Sequence, residues 1–227
     1  MNAKKTIGII LMILGAFIAF YGAMSANESM INVGICGIFI GAVLFSFSKE
    51  ESLANLFLPY HETFKNLARM FDAKKAVYIP PYKNLAEGGV FLALKEDFEI
   101  DLARIDSETI FLSGREKEAG IVLKVPGSEI LKELEETSFE AVSSVLRAKK
   151  LAKSAKFLDG EVIKILVEDV AVKFCSEDCK LIACPICSSL LLSVAKETGE
   201  LIMVESFKVS DIIEIEAKKI GGVDRWM

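Results

Sequence analysis

Two long apolar segments near the N-terminus constrain this chain more than any other feature of its sequence. They run from Thr6 to Met24 and from Ile31 to Phe47, and neither contains a Lys, Arg, Asp or Glu residue. At a rise of about 1.5 Å per residue, a helix of either length crosses most of a hydrocarbon core about 30 Å thick. A helix also satisfies its own backbone hydrogen bonds at that depth. We therefore predict a transmembrane helical hairpin in residues 1–48, with the lipid bilayer as a partner.

Small residues predict how the two helices of this hairpin meet. In the first segment Gly8, Gly15 and Gly22 recur every seven residues, and in the second Gly37 and Gly41 form a G-x-x-x-G pattern. Residues of this size allow the backbones of two membrane helices to approach closely. The pattern therefore favours direct packing of one helix on the other.

Flanking charges predict the orientation of the hairpin. Lys4 and Lys5 precede the first segment, Glu28 is the only charged residue between the segments, and Lys49 follows the second. By the positive-inside rule, both termini are predicted on the cytoplasmic side of the cell membrane. A signal peptide is the alternative for the first segment, but the second apolar segment begins too soon afterwards to favour it.

An amphipathic juxtamembrane helix is predicted in residues 49–73. Its apolar side chains recur at spacings of three and four: Leu53, Leu56, Phe57, Tyr60, Phe64, Leu67 and Phe71. We expect this stripe to pack on the soluble domain and Pro59 to kink the helix. His61, the only histidine, is expected to be an exposed residue near the kink.

Residues 74–227 are predicted to form a soluble α+β domain with a largely antiparallel sheet and packed helices. Runs rich in Val, Ile and Leu predict strands at Ala76–Ile79, Val90–Leu94, Thr109–Ser113, Ile121–Val125, within Glu161–Phe174, Glu200–Phe207 and Val209–Glu216. Helices are predicted from Pro126 to about Glu136, from Thr137 to about Phe157, and from Pro185 to a stop at Gly199. The tail, Lys218 to Met227, is expected to be frayed.

Four cysteines close together are the residues most able to carry chemistry. Cys175, Cys179, Cys184 and Cys187 follow the spacing C-x3-C-x4-C-x2-C, and a fifth cysteine, Cys36, lies in the second apolar segment. Three interpretations of the four remain open: a metal site, a redox-active thiol pair and a set of structural cysteines.

A metal site would use all four thiolates, which can bind zinc tetrahedrally or hold an iron–sulfur cluster. Cys179, Cys184 and Cys187 share the C-x4-C-x2-C spacing of plant-type ferredoxins, although the fourth cysteine here lies upstream. The spacing also departs from that of a zinc ribbon, whose cysteine pairs are about a dozen or more residues apart. The candidate ligands are Cys175, Cys179, Cys184 and Cys187, and the candidate cofactor is Zn or an Fe–S cluster.

The redox and structural interpretations focus on Cys184-Pro185-Ile186-Cys187, which precedes an apolar helix. A thiol at a helix N-terminus gains a lowered pKa from the helix dipole, and these four residues resemble the C-x-x-C of thioredoxin and glutaredoxin folds. Those folds also use a downstream cis-proline, whereas no proline follows Pro185 here. Because Leu181 to Ala195 contains no charge, base rates favour a buried helix whose cysteines pack or form a disulfide.

Composition and motifs favour a binding domain over an enzyme. The formal net charge of −5 argues against a nucleic-acid-binding face. The chain contains one histidine and no H-E-x-x-H, Walker A or G-x-S-x-G motif. We therefore expect a membrane-anchored cytosolic binding, sensor or scaffold domain, whose partner is another protein or a second copy of the chain. The alternative is a metal-binding or thiol-redox module centred on the cysteines.

The hairpin, Pro80-Pro81 and the run Cys184-Pro185-x-Cys187-Ser188 resemble an archaeal-type family of uncharacterised membrane proteins. That resemblance implies two N-terminal spans followed by a cytosolic C-terminal domain. It carries no assigned activity.

Overall fold

A computed structural model describes residues 3–46, 52–112, 116–132, 134, 138–170 and 175–227. The chain divides into two compact units, Met1–Leu56 and Phe57–Met227.

The first unit contains the two predicted apolar helices, α1 (Ala3–Met24) and α2 (Glu28–Ser46). Both are long and apolar enough to cross a membrane, and only 17% and 11% of their apolar windows are buried. A third stretch, Asp178–Thr198, meets the same length and composition limits, but 78% of its window is buried within the protein. The outward-facing apolar surface is therefore concentrated on α1 and α2.

Glycines form the contact between α1 and α2, as the sequence predicts. A Cβ atom built at Gly15 would lie 2.7 Å from the carbonyl oxygen of Gly34, and one at Gly8 would lie 2.9 Å from that of Gly41. These distances leave no room for a larger side chain, because the facing atoms belong to the backbone. The prediction of a closely packed hairpin is confirmed.

The second unit is built on an eight-stranded sheet with helices, which confirms the predicted α+β class. The strands are β1 (Lys75–Ile79), β2 (Gly89–Ala93), β3 (Phe111–Leu112), β4 (Gly120–Leu123), β5 (Ser154–Leu158), β6 (Ile163–Glu168), β7 (Glu200–Val209) and β8 (Ile212–Gly222). Their order in the sheet is β3-β4-β2-β1-β7-β8-β6-β5, and every described pair is antiparallel. The helices are the part of α3 (Ser52–Met70) from Phe57 onward, α4 (Ser128–Lys132), α5 (Phe139–Ala148) and α6 (Pro185–Thr198).

The central strands are covered on both faces. Every residue of β2 is buried, as are the last four of β1, which explains their continuous apolar sequences. On one face Val77 and Phe91 belong to a core cluster with Leu102 and Ile105. On the other face Tyr78 hydrogen-bonds Ser188 of α6 at 3.0 Å. The sheet therefore holds α6 directly against β1.

One predicted helix is shorter than expected, because its second half belongs to the sheet. We predicted a helix from Thr137 to about Phe157, but α5 begins after Ser138 and ends at Ala148; Thr137 itself lies outside the described residues. Ser154–Leu158 instead form β5, paired with β6. Phe157, which extended the helical apolar pattern, packs across from Phe139 with ring centroids 5.4 Å apart. Strand pairing therefore overrides the local helical pattern.

The C-terminal tail is ordered, and the prediction of a frayed tail is wrong. β8 continues to Gly222, and a short 3-10 turn spans Val223–Arg225. The backbone N–H of Leu102 donates to the carbonyl oxygen of Trp226 at 2.9 Å, and Trp226 packs against the core cluster. A terminal indole that covers apolar core surface holds the tail in place.

Candidate metal centre

The centre is built around the first turn of α6. Pro185 occupies the first helical position, where its missing N–H costs no hydrogen bond, and Cys184 is the N-cap residue. The Cys184 Sγ accepts a hydrogen bond from the backbone N–H of Cys187 at 3.5 Å. The predicted start at Pro185 and the left-handed stop at Gly199, with φ of 67°, are both confirmed.

α6 is buried on all sides along most of its length. The ten residues from Ile186 to Ala195 are all buried, including three serines. These hydroxyls donate to backbone carbonyls within 2.7–2.8 Å: Ser188 to Ala183, Ser189 to Ile186 and Ser193 to Leu190. Because its polar groups are satisfied locally, an uncharged helix can occupy the interior of the domain.

The segment that precedes α6 brings two more cysteines to the same place. A 3-10 turn spans Glu177–Lys180, and the Cys179 Sγ accepts a hydrogen bond from the backbone N–H of Ser176 at 3.4 Å. Cys175 lies just before this turn, and its Sγ is 3.1 Å from the Sγ of Cys184.

Three thiols converge on one point. The Sγ atoms of Cys175, Cys184 and Cys187 all lie within 4.8 Å of one another. The Cys179 Sγ lies outside this group of three, although its side chain hydrogen-bonds to Cys175. Cys179, Cys184 and Cys187 are buried, and Cys175 is partly buried. The structure therefore brings three of the four predicted ligands together and places Cys179 beside them; the four residues are here called the thiol cluster.

His61 of α3 completes the surroundings of the thiol cluster. Its imidazole Nε2 lies 3.7 Å from the Sγ of Cys179, and the residue is only 2% exposed. The expectation that His61 is an exposed helical residue is therefore wrong. In the part of α3 from His61 onward, the buried residues are His61, Lys65 and Ala68. Lys65 and Ala68 each come one residue after a member of the predicted apolar stripe, Phe64 and Leu67. One position corresponds to a rotation of about 100° around the helix axis.

The face of α3 that is turned inward meets polar partners. Lys65 Nζ donates to the Ser176 hydroxyl at 3.1 Å, and Arg69 forms an ion pair with Asp178. The apolar pattern of α3 contained no signal for these partners, because they lie more than a hundred residues away in sequence. A lone histidine can be assigned to such a site only from long-range contacts.

Hydrogen bonding within the thiol cluster lowers the pKa of two of its thiols, Cys184 and Cys179. Hydrogen bonds from the thiols of Cys175 and Cys187 hold the pKa of Cys184 well below its ordinary value, and burial opposes this effect. The hydrogen bond from Cys175 lowers the pKa of Cys179 to about 5, again against burial, with support from His61 and the N–H of Ser176. Conversely, the Cys175 pKa is raised, because its thiol donates to these neighbours. Thiolates are the form of cysteine that binds metal.

Fold and site together define an α+β protein in which two N-terminal apolar helices are followed in the chain by a domain with a buried thiol cluster. Comparisons of the chain with protein-family models, with curated proteins and with solved structures found no match. The resemblance to archaeal-type membrane proteins therefore stays a prediction.

Proposed function

We propose that this protein is a membrane-anchored binding or sensor module whose ligand is a transition metal ion held by Cys175, Cys179, Cys184 and Cys187. The observation that carries this proposal is the convergence of Cys175, Cys184 and Cys187, whose Sγ atoms lie within 4.8 Å of one another. Simple packing of cysteines in a core accounts for their burial but not for this convergence. A shared ligand accounts for both.

Zinc fits the donor set best. Four ligands at a Zn–S distance of about 2.3 Å place neighbouring sulfurs roughly 3.8 Å apart around a tetrahedron. The 4.8 Å limit on the three thiols is compatible with such a tetrahedron after small side-chain movements. An iron–sulfur cluster inserts several atoms between its cysteines and so needs a wider separation. The four-thiolate set also resembles closed structural zinc sites, which favours a binding role over catalysis.

The proposed location is the cell membrane, with both termini in the cytoplasm. The support is the apolar character of α1 and α2 and the distribution of Lys4, Lys5 and Glu28 around them. A reducing cytoplasm keeps thiols available for metal. Access of a membrane-impermeant maleimide to a cysteine added after Met227 tests this topology in intact cells. Labelling there would contradict it.

Metal content of the full-length protein in detergent micelles tests the proposed ligand. We expect about one zinc per chain by mass spectrometry of the metal, and loss of that zinc in Cys184→Ser. Cys36→Ser is the matched control, because this cysteine lies in α2 and outside the thiol cluster. A reduced wild-type protein that takes up no zinc would overturn the proposal.

A disulfide is the second candidate, because the Sγ atoms of Cys175 and Cys184 are only 3.1 Å apart. Oxidation of this pair would join the two sulfurs and release two protons and two electrons to an acceptor such as an oxidised thiol–disulfide partner. Cys184 is fully buried, however, whereas thiols that exchange with substrates are partly exposed. Counting the free thiols of the unfolded, unreduced protein separates the candidates. A disulfide would leave three of the five cysteines as free thiols, whereas a metal site would leave all five.

A further inference from the structure

The part of α3 that belongs to the second unit docks on the segment that carries two of the proposed ligands. The buried face of α3 carries His61, Lys65 and Ala68. His61 Nε2 lies 3.7 Å from Cys179 Sγ, and Lys65 Nζ donates to the Ser176 hydroxyl at 3.1 Å. The helix therefore meets the domain at the edge of the thiol cluster.

Asp178 extends this contact along the helix. Its carboxylate forms ion pairs with Arg69 and, at 3.8 Å, with Lys65. About half of the Asp178 side chain is exposed, so this ion pair is screened by water and by salt. The better-buried contacts of the docking face are those of His61 and Lys65.

The docking segment, residues 175–182, has little regular structure of its own. It contains one 3-10 turn, Glu177–Lys180, which is stabilised by the backbone bond from Cys179 N to Ser176 O at 2.9 Å. Side-chain contacts of Cys175 and Cys179 join the turn to the start of α6. A metal held by both of these cysteines and by α6 would therefore fix the surface on which α3 rests.

Near His61 and Phe64, α3 borders an open groove. A cavity of about 540 Å³ lies between His61 and Phe64 on one side and Lys124–Glu129 and Pro185 on the other. A helix beside such a space gains little dispersion energy from that direction. The docking segment supplies the buried polar contacts of this part of α3, those of His61 with Cys179 and of Lys65 with Ser176.

We propose that metal occupancy of the thiol cluster controls the attachment of α3 to the domain, with His61 as a positioning residue for Cys179. This proposal rests on the proposed metal-binding function and names its regulatory consequence. In the metal-bound state the docking segment is rigid, and α3 is held along His61 and Lys65. When the metal leaves, the segment loosens and α3 detaches, while the sheet remains folded. Since α3 follows directly after the apolar hairpin in the chain, the metal would regulate the connection between anchor and domain.

Hydrogen exchange of the full-length protein in detergent micelles tests this proposal. Zinc-loaded protein is compared with protein treated with a chelator under a reducing agent. We expect amides in residues 62–70 to exchange about tenfold faster or more after chelation, as in a local opening. Amides of β6, which pairs with β5 and β8, serve as the internal reference and should change little.

Two variants distinguish the effect of His61 on zinc binding from the effect of the docking contacts on α3. His61→Gln should weaken zinc binding by about 10- to 100-fold, the usual effect of losing a group that orients a ligand. The absorption bands of Co²⁺ bound in place of zinc should keep their positions, because the ligands themselves are unchanged. Asp178→Asn, the comparison variant, removes an ion-pair partner of Lys65 and Arg69; it should speed exchange in α3 and lower zinc affinity by no more than the same factor, because docking and zinc binding are linked.

The outcomes distinguish this proposal from the one on which it rests. A wild-type protein that binds no zinc overturns the metal-binding function and this inference together. Zinc binding followed by unchanged exchange in residues 62–70 after chelation overturns only the control of α3. Equal acceleration in α3 and β6 also overturns it, because the metal would then stabilise the domain as a whole. A shift of the Co²⁺ bands in His61→Gln would show that His61 is itself a ligand and would refute its positioning role.

Discussion

The contact between α1 and α2 predicts a large difference between two otherwise equivalent substitutions, Gly34→Ala and Gly37→Ala. A Cβ atom at Gly34 would lie 2.6 Å from Ala19 Cβ and 2.6 Å from the carbonyl oxygen of Gly15, and closer still to the Ala19 backbone nitrogen. These atoms are backbone or the first atom of a side chain, so no rotamer change can move them. Reaching ordinary van der Waals contact requires the helices to separate by about 1 Å at this point.

Gly37 provides the matched control on the same helix. Its Cβ would lie 3.2 Å from Gly15 Cα, and the next nearest atom is 3.8 Å away. Both substitutions gain the same helix propensity, up to about 1 kcal/mol. Overpacking of a close contact costs about 1–3 kcal/mol, which applies to Gly34→Ala and only weakly to Gly37→Ala. We therefore expect Gly34→Ala to be less stable than Gly37→Ala by about 1–3 kcal/mol.

Reversible unfolding of the hairpin in mixed micelles of increasing SDS content measures this difference. Fluorescence energy transfer between dyes on the exposed positions Phe17 of α1 and Phe39 of α2 reports the separation of the helices. Gly34→Ala should lose transfer at a lower SDS fraction than wild type, and Gly37→Ala should unfold close to wild type. Equal unfolding midpoints for the two variants would refute the packing geometry described here.

Two further predictions concern the soluble domain. The Tyr82 hydroxyl donates to the carbonyl oxygens of Leu102 and Ile105 at 2.9 and 2.8 Å, and burial raises the pKa of Tyr82 to about 12. Because the unfolded chain releases this proton near pH 10, the free energy of unfolding should fall between pH 10 and 12, and Tyr82→Phe should reduce that fall in urea denaturation. The fall that remains in Tyr82→Phe should come from Tyr78, because burial also raises the pKa of Tyr78. Lys150 has a left-handed φ of 57° just after α5, so Lys150→Gly should raise the free energy of unfolding by about 0.5–1 kcal/mol, whereas Lys149→Gly, at a φ of −79°, should not.

Local features of the sequence were sufficient to predict several elements. α6 begins at Pro185 and ends at Gly199, because a proline at the first helical position and a glycine after the last are strong local signals. α1 and α2 were predictable for a different reason, since a long uncharged segment has few alternatives to a helix. β7 and β8 were also predicted as paired strands, although they extend further than expected, to Val209 and Gly222.

Elements whose form depends on distant partners were not predictable from the sequence. β5 was assigned to a helix because its pairing with β6 has no local signature in Ser154–Leu158. Trp226 was placed in a frayed tail because the core surface it covers is formed mostly by residues more than a hundred positions earlier. In the same way, the cysteine spacing marked the thiol cluster as a candidate site but could not show that the sulfurs converge.

The order of strands explains why His61 reaches the thiol cluster from more than a hundred residues away. α3 leads into β1, and α6 leads into β7, so each helix is tied to its strand by a short connection. β1 and β7 are neighbours in the sheet, with Tyr78 opposite Ile202. The hydrogen bond between Tyr78 and Ser188 then places α6 over β1, the strand that α3 enters. Non-sequential pairing of two strands therefore assembles the site.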